Sequence, residues 1–156
     1  MACLPNKTLD EAKAPMAYKI KIKRCYESPS LTDGARFLVD GLWPRGVRKE
    51  AIRFAGWVRE VAPSQKLRKW FGHDPKRWAE FRKRYFVELT AKRDTWMPIL
   101  EAALKGNVTL LFSAHDLEHN NAVALQKFLR RRLRKRHGRV ARSPQSRMKR
   151  ERKTQK

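Results

Sequence analysis

The chain has 156 residues, of which 41% are hydrophobic and 10% aromatic, enough to form the core of one domain. Its formal net charge of +23 favours anionic partners. The two cysteines, Cys3 and Cys25, have no paired spacing, which argues against a disulfide framework or a cysteine zinc site and indicates a cytoplasmic location. No apolar run approaches the ~20 residues of a membrane span, so we expect no membrane association.

The first elements are two short strands. Residues 1–17 mix charged and small residues without an apolar centre, and we expect a disordered extension there. Residues 18–26 alternate apolar and basic side chains, which predicts a half-buried strand. A second strand is expected at residues 36–40. It is followed by the loop DGLWPRG at residues 40–46, in which a Trp, a Pro and two Gly constrain the shape of the chain.

Helices are expected in the middle of the chain. Residues 49–61 fit either irregular structure or a short helix. A helix capped by Ser64 should run to about Phe71 and stop at Gly72. Asp74 and Pro75 should start the next helix, which presents one apolar face through Trp78, Phe81, Tyr85 and Leu89. A third helix is expected at residues 95–105.

The strongest strand prediction is residues 108–114, a short, continuously apolar run typical of a central strand. A last helix is expected to begin near Asp116 and to merge into a basic tail. This order predicts an α/β fold, a single domain at residues 18–133 with a small, at least partly parallel sheet flanked by helices. Residues 134–156 are predicted to be a basic, disordered tail.

Polar side chains follow two of the predicted strands. If these strands are parallel neighbours, the loops at residues 40–45 and 115–120 open on the same edge of the sheet. Asp40 and His119 are the candidate catalytic groups, because His119 can act as an acid or base near neutral pH. The candidate ligand-binding residues are Arg45, Arg36, Trp43, His73, Asp116 and Asn120.

Structural roles compete with each assignment. Asp40 can pair with Arg45 or Arg36 and pin the loop. Trp43 can anchor the loop instead of stacking on a ligand. Asp116 can be a helix cap, and Asn120 and His73 can bond to backbone groups. We predict no metal site and no cofactor, since His115 and His119 lack a third ligand at a suitable spacing.

The C-terminus concentrates the charge. Residues 130–156 hold 14 of the 38 Lys and Arg and only one acid, Glu151. This segment is either a solubilising extension or a nonspecific contact for the phosphates of RNA or DNA. The nucleic-acid-binding candidates are Arg130, Arg131, Arg132, Arg134, Lys135 and Arg136.

Three blocks carry a family resemblance, at residues 36–46, 62–85 and 108–122. In order and spacing they resemble the YeaO-like bacterial proteins, known as domain of unknown function 488. The resemblance implies a small cytoplasmic α/β protein and supplies no reaction. The family usually has Arg at the position of Gly41 and Lys or Arg at that of His115, so each candidate loop of this chain has one cation fewer than is usual in the family.

Two functions follow as hypotheses. The first is a small enzyme or ligand-binding domain that acts on an anionic small molecule or nucleotide at the strand-end loops. The second is a nucleic-acid-associated protein that binds RNA or DNA through its basic tail. No phosphate loop, nucleophile elbow or dinucleotide fingerprint is present, so the residues leave the reaction class and the oligomeric state open.

Overall fold

A computed structural model describes residues 19–140, which are organised by a four-stranded sheet. Its strands are β1 (Ile20–Arg24), β2 (Ala35–Leu38), β3 (Gly56–Trp57) and β4 (Val108–Phe112). They lie in the order β1-β4-β2-β3, and every pairing is parallel. The predicted α/β fold is therefore confirmed, with a sheet that is parallel throughout.

Five α-helices and two 3₁₀ turns accompany the sheet within residues 19–140. The helices are α1 (Lys49–Ile52), α2 (Gln65–Phe71), α3 (Trp78–Ala91), α4 (Arg93–Lys105) and α5 (Asn121–Val140). The 3₁₀ turns are Arg59–Val61 and Pro75–Arg77.

The ends of α2 form as the sequence predicts. The Ser64 hydroxyl accepts the backbone N–H of Leu67 at 3.2 Å, which satisfies a donor of the first turn. Gly72 closes the helix with φ of 53°, a left-handed conformation that costs glycine little. Ser64 also donates through its N–H and hydroxyl to the Glu88 carboxylate at 2.8 and 2.6 Å, which joins α2 to α3.

The main core lies between one face of the sheet and helices α2–α5. The predicted apolar face of α3 is buried through Phe81, Tyr85 and Leu89, while Trp78 is only partly buried. Phe81 stacks on Phe71 of α2 with ring centroids 4.3 Å apart. This packing fixes α2 and α3 beside the end of the sheet where the strands finish.

A smaller cluster covers the opposite face of the sheet. Cys25, Leu38, Ile52 and Leu111 are buried there, so short α1 closes this side. Beside the cluster, the Asp33 carboxylate lies 3.3 Å from the Lys23 ammonium. Burial raises the pKa of Asp33, but the bonds from the Ser30 N–H and from Lys23 outweigh it and hold the pKa below its ordinary value.

The last helix differs from the prediction at both ends. Helix α5 begins at Asn121 instead of near Asp116. It continues to Val140, so residues 134–140, predicted to be part of a disordered tail, are helical. Residues 1–18 and 141–156, which include all of the predicted extension and most of the predicted tail, lie outside the described residues.

Within residues 19–140, no helix combines the length and the apolar character that a bilayer crossing requires.

Candidate functional site

Three strands end at one edge of the sheet. Arg24 of β1 pairs with Phe112 of β4, and Leu38 of β2 pairs with Leu111, so the loops that follow these strands emerge side by side. A pocket of about 480 Å³ opens there. It is lined by Tyr26, Asp40, Gly41, Leu42, Trp43, Pro44, Arg45, Ala62, Pro63, Arg68, Phe71, His73, Phe81, Ser113, Ala114, His115 and Asn121. The expected common edge for the two loops is therefore present.

Asp40 joins the two central strands at the floor of this pocket. Its Oδ2 accepts the backbone N–H of Ser113 at 2.8 Å and the Ser113 hydroxyl at 2.6 Å. Its Oδ1 receives a longer bond of 3.3 Å from the Asn121 amide, which also donates to the Val39 carbonyl. Among the described residues Asp40 forms no ion pair with Arg45 or Arg36; neutral donors of β4 and α5 hold it instead.

Trp43 is held as an anchor of the loop. Its indole N–H donates to the Val47 carbonyl at 2.8 Å. The ring packs edge-on against Trp57, at 5.4 Å between centroids, and lies 5.8 Å from Phe54. Trp57 in turn donates its indole N–H to the Asp40 carbonyl at 2.8 Å. These contacts fix the loop between β2 and α1 and leave Trp43 as part of the pocket wall.

Two arginines line the pocket. Arg45 is exposed in the loop after β2, and Arg68 is exposed on α2. A Cβ atom on Gly41 would lie 3.1 Å from Nη1 of Arg68 and 3.3 Å from Cβ of Ala62. Glycine at this position therefore leaves the space that the Arg68 guanidinium uses. Neither arginine forms an ion pair with a carboxylate of residues 19–140.

His73 lines the same pocket from the loop after α2. Its φ is 56°, in the left-handed region that a residue with a Cβ rarely adopts. The ring lies 5.6 Å from that of Phe71. The backbone here is thus strained at a position where the side chain reaches the pocket.

Arg36 lies away from the pocket, on the second face of the sheet. Its Nη1 donates to the Ile52 carbonyl at 2.6 Å, and its Nε lies 3.5 Å from the Asp33 carboxylate. The side chain is only 5% exposed, so it holds α1 against β2 and has no access to a ligand in the pocket.

Asp116, His119 and Asn120 form a turn that precedes α5 and do not line the pocket. Asp116 accepts the N–H groups of Glu118 and His119 at 2.8 and 2.9 Å. These bonds lower the pKa of Asp116 below its ordinary value. Because Asp116 caps this turn, α5 starts only at Asn121. The side chain of Asn120, the residue before the helix, accepts the N–H of Val123 at 3.0 Å.

His119 is oriented by two neighbours outside the pocket. Its Nδ1 lies 3.0 Å from Oδ2 of Asp116, and its ring meets the Trp78 ring edge-on at 5.4 Å. The two candidate catalytic residues, Asp40 and His119, are thus not brought together in the pocket lining.

No group of three or more potential metal ligands occurs in the part of the chain that the structure describes.

Several lining residues were not among the candidates from the sequence. Ser113 and His115 follow β4 directly, so their strand-end positions were a usable signal. Asn121 opens α5 at the same edge. Tyr26 lies in the turn after β1 and Arg68 lies on α2, and only the tertiary packing shows that they reach the pocket. The six basic candidates, Arg130 to Arg136 apart from Leu133, lie on α5 and not in the lining.

Comparison with known proteins agrees with the resemblance. A family profile described as "Inactive DUF488-N3 subclade" matches residues 19–147. The protein YeaO of Escherichia coli, described as uncharacterized, is 38% identical over 111 residues, which is 71% of this chain and 96% of YeaO. An uncharacterized protein of Mycobacterium tuberculosis (strain H37Rv) is 45% identical over 71 residues, 46% of this chain and 60% of that protein.

No solved structure matches the chain significantly. The family match spans most of the chain, including the whole of the sheet, the pocket and α5. The resemblance drawn from the three sequence blocks is confirmed, and this chain belongs to the YeaO-like proteins of the DUF488 family.

Proposed function

We propose that the pocket binds a small anionic molecule, with nucleotides among the candidates, and that the chain acts as a ligand-binding domain. The observation that carries this proposal is the pair of arginines, Arg45 and Arg68, that line a pocket of about 480 Å³. Guanidinium groups bind carboxylates and phosphates through paired N–H donors. A volume of this size lies in the range typical of small-molecule sites.

The charge at the pocket supports an anion. Its lining contains two arginines and two histidines, His73 and His115, against a single carboxylate, Asp40. That carboxylate already accepts three hydrogen bonds, so it holds the strands together more than it attracts a cation. The cation that the family usually carries at position 41 is absent, and Arg68 supplies one in the adjacent space.

Binding without turnover fits the site better than catalysis. His119 lies outside the lining and bonds to Asp116, so the pocket lacks the acid–base pair that the sequence suggested. The matching family profile is described as an inactive subclade, which favours the same choice. The strain at His73 supports a binding role, because such backbone conformations concentrate at functional sites.

A thermal-shift titration tests the proposal. The probes are inorganic phosphate, pyrophosphate and adenosine monophosphate, with sodium chloride at equal ionic strength as the reference. A ligand at ~100 times its Kd stabilises the folded state by about 2.7 kcal/mol. For a chain of this size that raises Tm by about 5–10 °C.

Charge-matched variants locate the site. Arg45→Gln and Arg68→Gln should each reduce the shift produced by the best probe, and the double variant should abolish it. Arg93→Gln removes the same charge from an exposed residue of α4 that lies outside the pocket lining, and it should leave the shift unchanged. Equal shifts in the three single variants would contradict the proposal, as would the absence of any shift in the wild type. A cytoplasmic location remains a prediction.

A further inference from the structure

Helix α5 carries a concentrated positive charge on one side. Residues 121–137 contain seven Lys and Arg and no Asp or Glu. Four of them recur at positions i, i+3, i+4 and i+7, which places them on one helical face. All four are exposed, and we call them the basic stripe: Lys127, Arg130, Arg131 and Arg134.

The domain holds this stripe in place. The opposite side of α5 is buried in the main core through Ala124, Leu125, Phe128 and Leu129. Within the stripe, Nη2 of Arg130 donates to the Ile20 carbonyl at 3.0 Å. The helix therefore presents its charges on a rigid surface, where little conformational entropy is lost when a partner binds.

Cation–π contacts place Arg131 and Arg132 on different sides of α5. The Arg131 guanidinium lies 5.6 Å from the centre of the Phe86 ring of α3. Arg132 points the other way, lying 4.8 Å from the Phe128 ring and 5.6 Å from the Trp96 ring, and is partly buried. Arg132 thus belongs to the packing of α5 on α4 and not to the stripe.

No carboxylate offsets the stripe. None of its four residues forms an ion pair within residues 19–140. The neighbouring helix α3 adds exposed Lys83, and its two acids are already engaged: Glu80 pairs with Arg84 at 3.0 Å, and Glu88 accepts from Ser64. The stripe spans two helical turns, about 10 Å. A partner must therefore bring several negative charges over that distance.

We propose that the basic stripe binds the phosphodiester backbone of a nucleic acid without regard to sequence. Repeated phosphates match a row of exposed, fixed cations. An anionic membrane fits less well, because an interfacial helix needs an exposed apolar face and that of α5 is buried. None of the large exposed apolar side chains of residues 19–137 lies on α5.

The stripe is separate from the pocket. Asn121, the first residue of α5, lines the pocket at the carboxyl edge of the sheet. Arg130 contacts Ile20, the first residue of β1, which lies at the opposite edge. Nucleic-acid binding and ligand binding in the pocket can therefore succeed or fail independently.

The test measures binding of the full chain to a fluorescent, mixed-sequence 20-nucleotide RNA by anisotropy over a series of salt concentrations. A 20-base-pair DNA duplex and phosphatidylserine/phosphatidylcholine vesicles form parallel arms. Wild-type affinity for RNA and DNA should fall steeply as salt rises. The key variant, Lys127→Gln/Arg134→Gln, removes two exposed charges of the stripe that form no ion pair, side-chain hydrogen bond or cation–π contact within residues 19–140.

Loss of two phosphate contacts should lower the salt slope on single-stranded RNA by about 1.4 and the affinity at 0.1 M salt by tenfold or more. The control, Arg48→Gln/Lys49→Gln, removes the same charge at α1 on the other face of the sheet and should bind as the wild type does. Residues 141–156 add seven Lys and Arg, but both variants retain them. Equal affinity of the two variants would overturn the proposal, as would tighter binding to vesicles than to RNA.

Discussion

Asp40 lines the pocket, and its carboxylate has a structural role there. Its carboxylate receives bonds from the Ser113 N–H, the Ser113 hydroxyl and the Asn121 amide, and so connects β2, β4 and α5. A sequence can indicate that a carboxylate follows a strand, but it does not indicate which donors the fold brings to it. The arginine partners expected for Asp40 were plausible by charge, whereas the donors found are neutral and lie more than 70 residues away.

We therefore expect Asp40→Ala to reduce the free energy of unfolding by about 2–3 kcal/mol, because hydrogen bonds to a charged group are lost together and leave partly buried donors unpaired. Ser113→Ala removes only the hydroxyl bond and should cost about 1 kcal/mol. Urea denaturation followed by tryptophan fluorescence measures both. If Asp40→Ala unfolds within 0.5 kcal/mol of the wild type, the carboxylate does not hold these elements together.

At the level of elements, predictions succeeded where local chemistry decides the structure. The cap at Ser64, the stop at Gly72 and the buried face of α3 follow from capping geometry and helical periodicity. The start of α5 was misplaced, because Asp116 caps a preceding turn and the sequence does not distinguish the two kinds of cap. The sequence also misplaces the end of α5, because a run of Arg and Lys is typical of a disordered segment. In the structure the run continues a helix that packs on the core through Phe128 and Leu129.

Helix α3 docks through a buried hydroxyl. Tyr85 is fully buried and donates to the Val61 carbonyl at 2.6 Å, which ties α3 to the 3₁₀ turn before α2. Burial, with smaller contributions from Glu88 and Asp40, raises the pKa of Tyr85 far above its ordinary value near 10. The folded state therefore keeps the phenol neutral at a pH where the unfolded chain ionises it.

This shift gives a pH-dependent prediction for Tyr85→Phe. Below pH 10 the wild type should be more stable by about 1.5 kcal/mol, since the variant leaves the Val61 carbonyl unpaired. A raised folded-state pKa contributes stability that is complete below the unfolded pKa and is lost as pH rises. The wild-type advantage should fall by about 1.4 kcal/mol per pH unit above 10 and vanish near pH 11.

Denaturation of both proteins from pH 7 to 11.5 measures the difference, and the shared titration of other groups cancels in it. Tyr26→Phe, at a half-exposed tyrosine, is the control and should show no such crossing. A wild-type advantage that stays constant through pH 11 would show that Tyr85 ionises as readily in the folded state as in the unfolded one.

On the scale of the whole molecule, charge is the dominant property. Residues 19–140 hold 29 Lys and Arg against 12 Asp and Glu, so the folded part is itself strongly basic. The sequence predicts this excess of positive charge, but it suggests that the charge acts mainly through a C-terminal tail. The fold instead gathers part of it into a stripe on α5, where like charges at i, i+3 and i+4 repel one another.

The basic stripe should therefore cost stability in the absence of a partner. Lys127→Gln/Arg134→Gln removes four repulsive pairs with Arg130 and Arg131, and we expect it to raise the free energy of unfolding by about 1 kcal/mol at low ionic strength. The gain should disappear near 1 M salt, where screening acts over ~3 Å. Arg48→Gln/Lys49→Gln should show no gain, because Glu50 lies beside those residues. Thermal denaturation at 20 mM and 1 M sodium chloride measures both variants. A loss of stability in the stripe variant at both salt concentrations would mean that these residues stabilise the fold. The expected gain would mean that their charges destabilise the folded state, as expected of residues whose role is to bind a partner.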